Sequence, residues 1–336
     1  MNERPQHPDF DGDDESLGGL LREVGSRDLP SAAVTGDVRQ VVHAEWQAVV
    51  ARRRRTRVVT YGLAASVAVA AVAVAIGLQL GVGSDAPVAQ VARVDGALQI
   101  AVDGGEHWRD VHVGDTLTEG AMLRTDEGTR AALDFGDGLS VRVDAGSLVE
   151  LTSPERIALD RGALYVDASP QIAPRSVAAQ ALTIQTLYGS VRHLGTQYEL
   201  RTTRSGIEVS VREGRVEIEN AQQKFTGNAG EQLLLAREGE PERRSVSPED
   251  PRWLWATNIA PVFDIERQPL SEFLEWVARE TGKQLVYATP EVRARAEQLI
   301  LRGSVSNLPP EQAFAAVLAT TPFTHLDTAS EIRIQL

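Results

Sequence analysis

Six histidines, His7, His43, His107, His112, His193 and His325, are the natural places to look for proton transfer or metal binding. A zinc protease carries two histidines in an H-E-x-x-H helical turn, and no pair here has that spacing. The chain has no cysteine, which excludes disulfides, thiolate zinc sites and cysteine nucleophiles. It also lacks a G-x-S-x-G nucleophile elbow, a phosphate-cradling G-x-x-x-x-G-K-[ST] loop, and a G-x-G-x-x-G between strand and helix. His107 and His112 lie near Asp103, Glu106 and Asp110, a set able in principle to hold a cation. In a chain with 47 acidic residues, a solvated turn is the simpler reading. The acidic stretch from Asp9 fails as a calcium loop, because its sixth position is Asp14 and its twelfth is Leu20. The expectation is therefore no enzyme, no cofactor and no resident metal.

The net charge of −13 argues against direct contact with nucleic acid, whose phosphates need clustered Lys and Arg. The one strong basic cluster, Arg52, Arg53, Arg54, Arg55 and Arg57, has a different use. It precedes a run from Val58 to Ser84 without a charged residue. About 20 apolar residues suffice to cross a bilayer as a helix, so residues 58–82 are predicted to span a membrane. Arginines mark the cytoplasmic side. This leaves residues 1–57 inside and everything after the span outside.

Residues 1–57 are too few to bury a core of their own. Leu17, Leu20, Leu21 and Val24 fall at i, i+3, i+4 and i+7, the stripe of a short amphipathic helix that Gly25 would stop. Val38, Val41, Val42, Trp46, Val49 and Val50 form a second apolar face. These faces need another surface: each other, the membrane, or a cytoplasmic partner anchored by Trp46.

Beyond the span, residues 88–240 read as all-β. Short alternating runs such as "GLSVRVDAGSLVEL" are cut by Gly and Asp turns every 8–12 residues or so, as in a solenoid or sandwich. Ile207, Val209 and Val211 alternate before Glu213-Gly214, then Val216 and Ile218 alternate again, a pattern that predicts a hairpin. Residues 241–260 are charged and Pro-containing and read as a linker, in which Trp253 and Trp255 would share one side of a strand. Residues 261–336 read as a small α+β domain of order βαβ-βαββ, with strands at "PVFDIE", "QLVYA", "EQLILRGSVS", "FTHLD" and "EIRIQL". Its first helix carries Leu270, Phe273, Leu274, Val277 and Ala278 at helical spacing between Pro269 and Gly282.

The order of "GDTLTEG", "LRTDEG", "DGLSVRV", "LGTQYEL", "REGRVEI" and "AGEQLLL" resembles the FecR-type domain of transmembrane anti-sigma factors. Leu194, Gly195, Thr196, Tyr198, Glu213, Gly214 and Val216 are the matching positions, and in physical terms they are turn and core positions. The last domain resembles the STN (secretin and TonB N-terminus) domain at Pro269, Leu270, Phe273, Leu274, Thr281, Gly282, Val305, Leu308, Ala313 and Leu318. The resemblance implies a single-pass regulator of the bacterial inner membrane with a periplasmic C-terminus. Its cytoplasmic helices (Leu17, Leu20, Leu21, Val38, Val42, Trp46, Val49) would bind an extracytoplasmic-function sigma factor. It further implies signal input from the periplasmic domain of a TonB-dependent outer-membrane transducer, and release by membrane proteases. The alternative is an anchored periplasmic module that binds glycan or peptide, with Trp108 and Tyr165 as candidate contacts. A tethered hydrolase is disfavoured by the missing motifs.

Overall fold

The computed structural model describes residues 86–168, 181–193, 195–220, 223–237, 239–306 and 308–336. The predicted cytoplasmic helices, the arginine cluster and the span at 58–82 lie outside these residues. Among the described residues, no helix is long and apolar enough to cross a membrane.

Among the described residues, eighteen strands come first. They are β1 (Pro87–Asp95), β2 (Leu98–Ala101), β3 (Arg109–Val111), β4 (Thr116–Thr118), β5 (Ala121–Arg124) and β6 (Arg130–Asp134). Next are β7 (Leu139–Val143), β8 (Leu148–Ser153), β9 (Arg156–Arg161), β10 (Ala163–Ala168), β11 (Thr183–Thr186) and β12 (Gly189–His193). The last six are β13 (Gln197–Thr202), β14 (Gly206–Glu213), β15 (Arg215–Glu219), β16 (Lys224–Asn228), β17 (Glu231–Ala236) and β18 (Glu242–Ser245). One nine-stranded sheet has the order β18-β17-β14-β13-β10-β7-β6-β1-β4, and the other β16-β15-β12-β11-β9-β8-β5-β2-β3. The chain alternates between the sheets while both grow in the same direction, so the sandwich half of the sequence expectation holds. Neighbours are antiparallel except β9 and β11, which run parallel.

Alternation decides which residues fill the space between the sheets. Val141, Val143, Leu164, Val166, Leu200, Val209, Val211 and Leu233 all point inward and are fully buried. Each contributes on the order of 1.5–3 kcal/mol by leaving water.

The expected 206–219 hairpin is corrected by the sheet pairing. β14 pairs with β13 and β17 in one sheet, and β15 with β12 and β16 in the other. Gly214 takes φ +78°, and a Cβ there would lie 2.5 Å from the Gly195 carbonyl oxygen. The left-handed glycine turns the chain out of one sheet into the other instead of folding it back on itself.

The segment read as a linker is structured. It carries β18, a 3-10 turn at Pro251–Trp253 and α1 (Leu254–Asn258). Trp253 and Trp255 therefore lie on helical backbone and not on a strand. Asp250 caps the turn by accepting from the Arg252 N–H, and Pro251 takes the first position.

The C-terminal module continues with α2 (Leu270–Thr281), β19 (Gln284–Tyr287), α3 (Pro290–Gln298), α4 (Pro310–Leu318), β20 (Thr324–Asp327) and β21 (Glu331–Gln335). Its sheet has the order β19-β21-β20, and the expected final hairpin is present as β20 and β21. The strands expected at "PVFDIE" and "EQLILRGSVS" are not formed. A single bridge joins Pro269 to Ile300, and residues 290–298 are helical. Thr289 starts that helix by accepting from the Val292 N–H, with Pro290 first in the turn.

α2 follows its sequence stripe. Leu270, Phe273, Leu274, Val277 and Ala278 are buried, and Gly282 ends the helix at φ +73°. Val305, Ala313 and Leu318 join the same core, and Leu308 packs against it. This core is separate from that of the sandwich.

Candidate functional site: an ionic contact between sandwich and C-terminal module

The outward face of a sandwich sheet normally meets water and carries polar residues. In this sheet the outward residues are polar but several are buried. Alternation places Arg142 (β7), Tyr165 and Asp167 (β10), Gln197 and Glu199 (β13), and Ser210 and Arg212 (β14) on that face, and all are buried. The cover over Arg142, Tyr165, Asp167 and Arg212 is α1 and the C-terminal end of α2.

Arg142 is fully buried. It donates to Glu280 Oε1 at 2.7 Å and to the Ala256 carbonyl oxygen at 2.9 Å, with Asp167 Oδ2 at 3.7 Å. Its guanidinium lies 5.0 Å from the centre of the Tyr165 ring, within cation–π range. Arg212 donates to the carbonyl oxygens of Pro248 (2.6 Å) and Glu280 (3.0 Å) and to Tyr165 Oη (3.3 Å). Arg279 completes the set, donating to Asp167 and, at 3.0 Å, to Glu213 Oε2. Asp167 also accepts from Gln197 Nε2 at 3.0 Å. Trp253, Tyr165, Val246 and Ala256 form a small apolar cluster at the edge of this contact.

Glu280 breaks a local rule. It occupies the last turn of α2, where the helix dipole disfavours a negative charge, and it is almost wholly out of water. Burial pushes its carboxyl up, against the pull of Arg142. Burial also works against the Arg142 charge, but Glu280, Tyr165 and Asp167 more than offset it and raise that group. Burial likewise raises the Tyr165 phenol, against the pull of Arg212. A carboxylate kept where its own helix opposes it points to a role set by tertiary contact. A cleft of about 220 Å³ lies beside the contact, lined in part by Arg212, Trp253, Thr257, Thr281, Lys283 and Glu311.

The sequence-derived positions fall in several places. Leu17, Leu20, Leu21, Val38, Val42, Trp46, Val49, Arg52, Arg53, Arg54, Arg55, Arg57 and Leu194 lie outside the described residues. Gly195 and Gly214 meet at the crossing between sheets, with Thr196 Cγ2 2.6 Å from where a Gly214 Cβ would stand. Thr196, Tyr198 and Val216 are buried. Glu213 has a further contact that the sequence did not suggest, since it reaches Arg279 of the C-terminal module. Arg142, Asp167, Arg212, Arg279 and Glu280 were missed altogether. Their only sequence signal is a charge in the polar phase of a strand or helix, which ordinarily means a solvated face.

The other candidates resolve as follows. Asp103, Glu106 and His107 are exposed, with potential ligand atoms within 4.8 Å of one another. His107 Nδ1 is already bonded to Asp103 Oδ2, and Asp103 Oδ1 accepts from the Glu106 and His107 N–H groups. Asp110 instead accepts from Gln99 Nε2, and neither it nor His112 joins that group. Tyr165 is too buried to receive an external ligand, and the half-buried Trp108 ring is covered by Arg124, whose guanidinium stands 4.3 Å from its centre. His193 is buried, and its Nε2 accepts from the Leu182 N–H. His325 packs edge-on against Phe314. No described histidine is part of the ionic contact.

Residues 121–217, from β5 into β15, match the family model described as FecR protein. The match covers this segment alone. The segment contributes Arg142, Asp167, Arg212 and Glu213 to the contact, while Arg279 and Glu280 come from beyond it. The matched segment also contains both glycines of the crossing at Gly195 and Gly214. No curated protein matches the chain. Two crystal structures of a candidate anti-sigma factor from Parabacteroides distasonis are similar to it at 18% identity. They cover 63% and 64% of this chain and 97% and 98% of their own, with TM-scores of 0.33 and 0.34.

Proposed function

We propose that this chain is a single-pass inner-membrane regulator of an extracytoplasmic-function sigma factor. The FecR match at residues 121–217 carries this reading and supports a regulatory, non-enzymatic role. The arginine cluster before the apolar run supports a cytoplasmic N-terminus and periplasmic modules. On this reading, Leu17, Leu20, Leu21, Val38, Val42, Trp46 and Val49 hold the sigma factor away from RNA polymerase. The periplasmic modules receive the signal, from a partner such as the periplasmic domain of a TonB-dependent transducer. A single helix transmits torque poorly through a fluid bilayer, so cleavage by membrane proteases is the preferred means of release.

The test is Trp46→Ala in cells carrying a reporter of the target promoter. Expression should rise while the amount of membrane-inserted protein stays constant. Wild-type expression would overturn the assignment of Trp46 as anchor. An enzyme reporter fused after residue 90 should be active only in the periplasm, and cytoplasmic activity would overturn the orientation.

A further inference from the structure

The sandwich and the C-terminal module have separate apolar cores, and α2 meets the sandwich face through ionic and hydrogen-bonding groups. That contact is tight but imperfectly satisfied. Arg142 Nε, Arg279 Nε and Glu280 Oε2 are buried without a hydrogen-bond partner. Each such group forfeits about 1–3 kcal/mol of hydration. An ion pair taken out of water is close to break-even against its desolvation. Opening would return every one of these groups to water, whereas opening an apolar core would expose it at full cost. Between α1 and α2, residues 259–268 carry no helix or strand; Ile259 and Ala260 are buried and Ile265 belongs to the module's core, which leaves residues 261–264 as the hinge.

We propose that this contact is a latch. The module from α2 onward undocks from the sandwich and α1 as a unit, by rupture of the Arg142–Glu280, Asp167–Arg279 and Glu213–Arg279 pairs and of the bonds from Arg212 and Thr257 to the Glu280 carbonyl oxygen, while both cores stay folded. A partner that grips the module then has to supply only the small difference between docked and undocked states. The inference goes beyond the sigma-factor reading and does not rest on it.

The chain has no cysteine, so two introduced cysteines are unique labelling sites. Asp160→Cys on the sandwich and Gln298→Cys on the module are both exposed. Nitroxides at these positions, in the full-length chain, give the interdomain distance by pulsed electron resonance. The parent should show a dominant narrow distance. Glu280→Gln leaves Arg142 only Asp167, at 3.7 Å and shared with Arg279, as counter-charge, and should raise a second, longer population at least about tenfold. Adding Arg142→Met to Glu280→Met removes both charges and should return the distribution to the parent's. Hydrogen exchange on the same samples should keep the helix Leu270–Thr281 protected throughout. An unchanged distance in Glu280→Gln would overturn the latch. So would loss of protection across Leu270–Thr281 in that variant, since the contact would then be part of one cooperative core.

Discussion

Gly162→Ala tests the crossing geometry of the sandwich. Gly162 joins β9 to β10 at φ +96°, and an added Cβ would lie 2.1 Å from Ser147 Oγ and 2.5 Å from Ser147 Cα. Ser147 is fully buried; its hydroxyl donates to the Asp144 carbonyl oxygen at 2.7 Å and accepts from the Ala163 N–H at 3.2 Å. Three costs combine. An L-residue in the left-handed region costs about 1–2 kcal/mol. Forcing apart close-packed atoms costs about 1–3 kcal/mol. Two strained hydrogen bonds add roughly 0.5–1.5 kcal/mol each. Because the contact includes Ser147 Cα, rotating the serine side chain cannot relieve it. The expected destabilisation is on the order of 3–8 kcal/mol. The control is Gly104→Ala, which has φ +74° but nothing within 4 Å of the new Cβ. It isolates the backbone cost and should lose only about 1–2 kcal/mol. Equilibrium urea unfolding of the purified protein, followed by circular dichroism, measures both. If the two variants fall within about 1 kcal/mol of each other, the argument from close approach fails.

Three further outcomes are expected. Burial and the nearby Arg192 hold His193 down at about 4 instead of 6.5, so the native state resists its protonation while the unfolded chain accepts it. Stability should be flat above pH 6.5 and fall by roughly 3 kcal/mol between pH 6.5 and pH 4; in denaturant titrations against pH, His193→Gln should lose that component of the slope. In a thermodynamic cycle read by urea unfolding, Arg142→Met and Glu280→Met should each cost no more than the small difference between docked and undocked states, because undocking returns the stranded charge to water, and the double variant should be within about 2 kcal/mol of the parent. Trp253→Ala removes a ring packed edge-on against Tyr165 at 5.9 Å, with its N–H bonded to the Ser247 carbonyl oxygen. It should cost about 3–5 kcal/mol by calorimetry.

Local periodicity made several elements legible. Val141 and Val143, like Val209 and Val211, alternate with charged or polar neighbours, and that period of two survives into the core. The stripe of Leu270, Phe273, Leu274 and Val277 between Pro269 and Gly282 fixes a helix and its buried face in the same way. Period two does not say which sheet a strand joins. The strands on either side of Gly214 therefore read as a hairpin, and only their pairing partners, distant in sequence, place them in different sheets. The spacing of Trp253 and Trp255 would put both on one side of a strand, whereas the Asp250 cap and Pro251 commit that stretch to helical backbone.

The ionic contact was out of reach of the sequence for a deeper reason. Arg142, Asp167 and Arg212 occupy the outward phase of their strands, and Glu280 the end of an amphipathic helix, where local rules assign charge to water. Burial of a charge depends on what arrives from elsewhere in the chain, and Glu280 lies 138 positions from Arg142. The sequence by itself determined the alternating strands of the sandwich and the face of α2, because each is set by neighbours a few residues apart. Only the tertiary structure decided that the polar face of one sheet is covered, because that depends on a docking event between two separately cored modules.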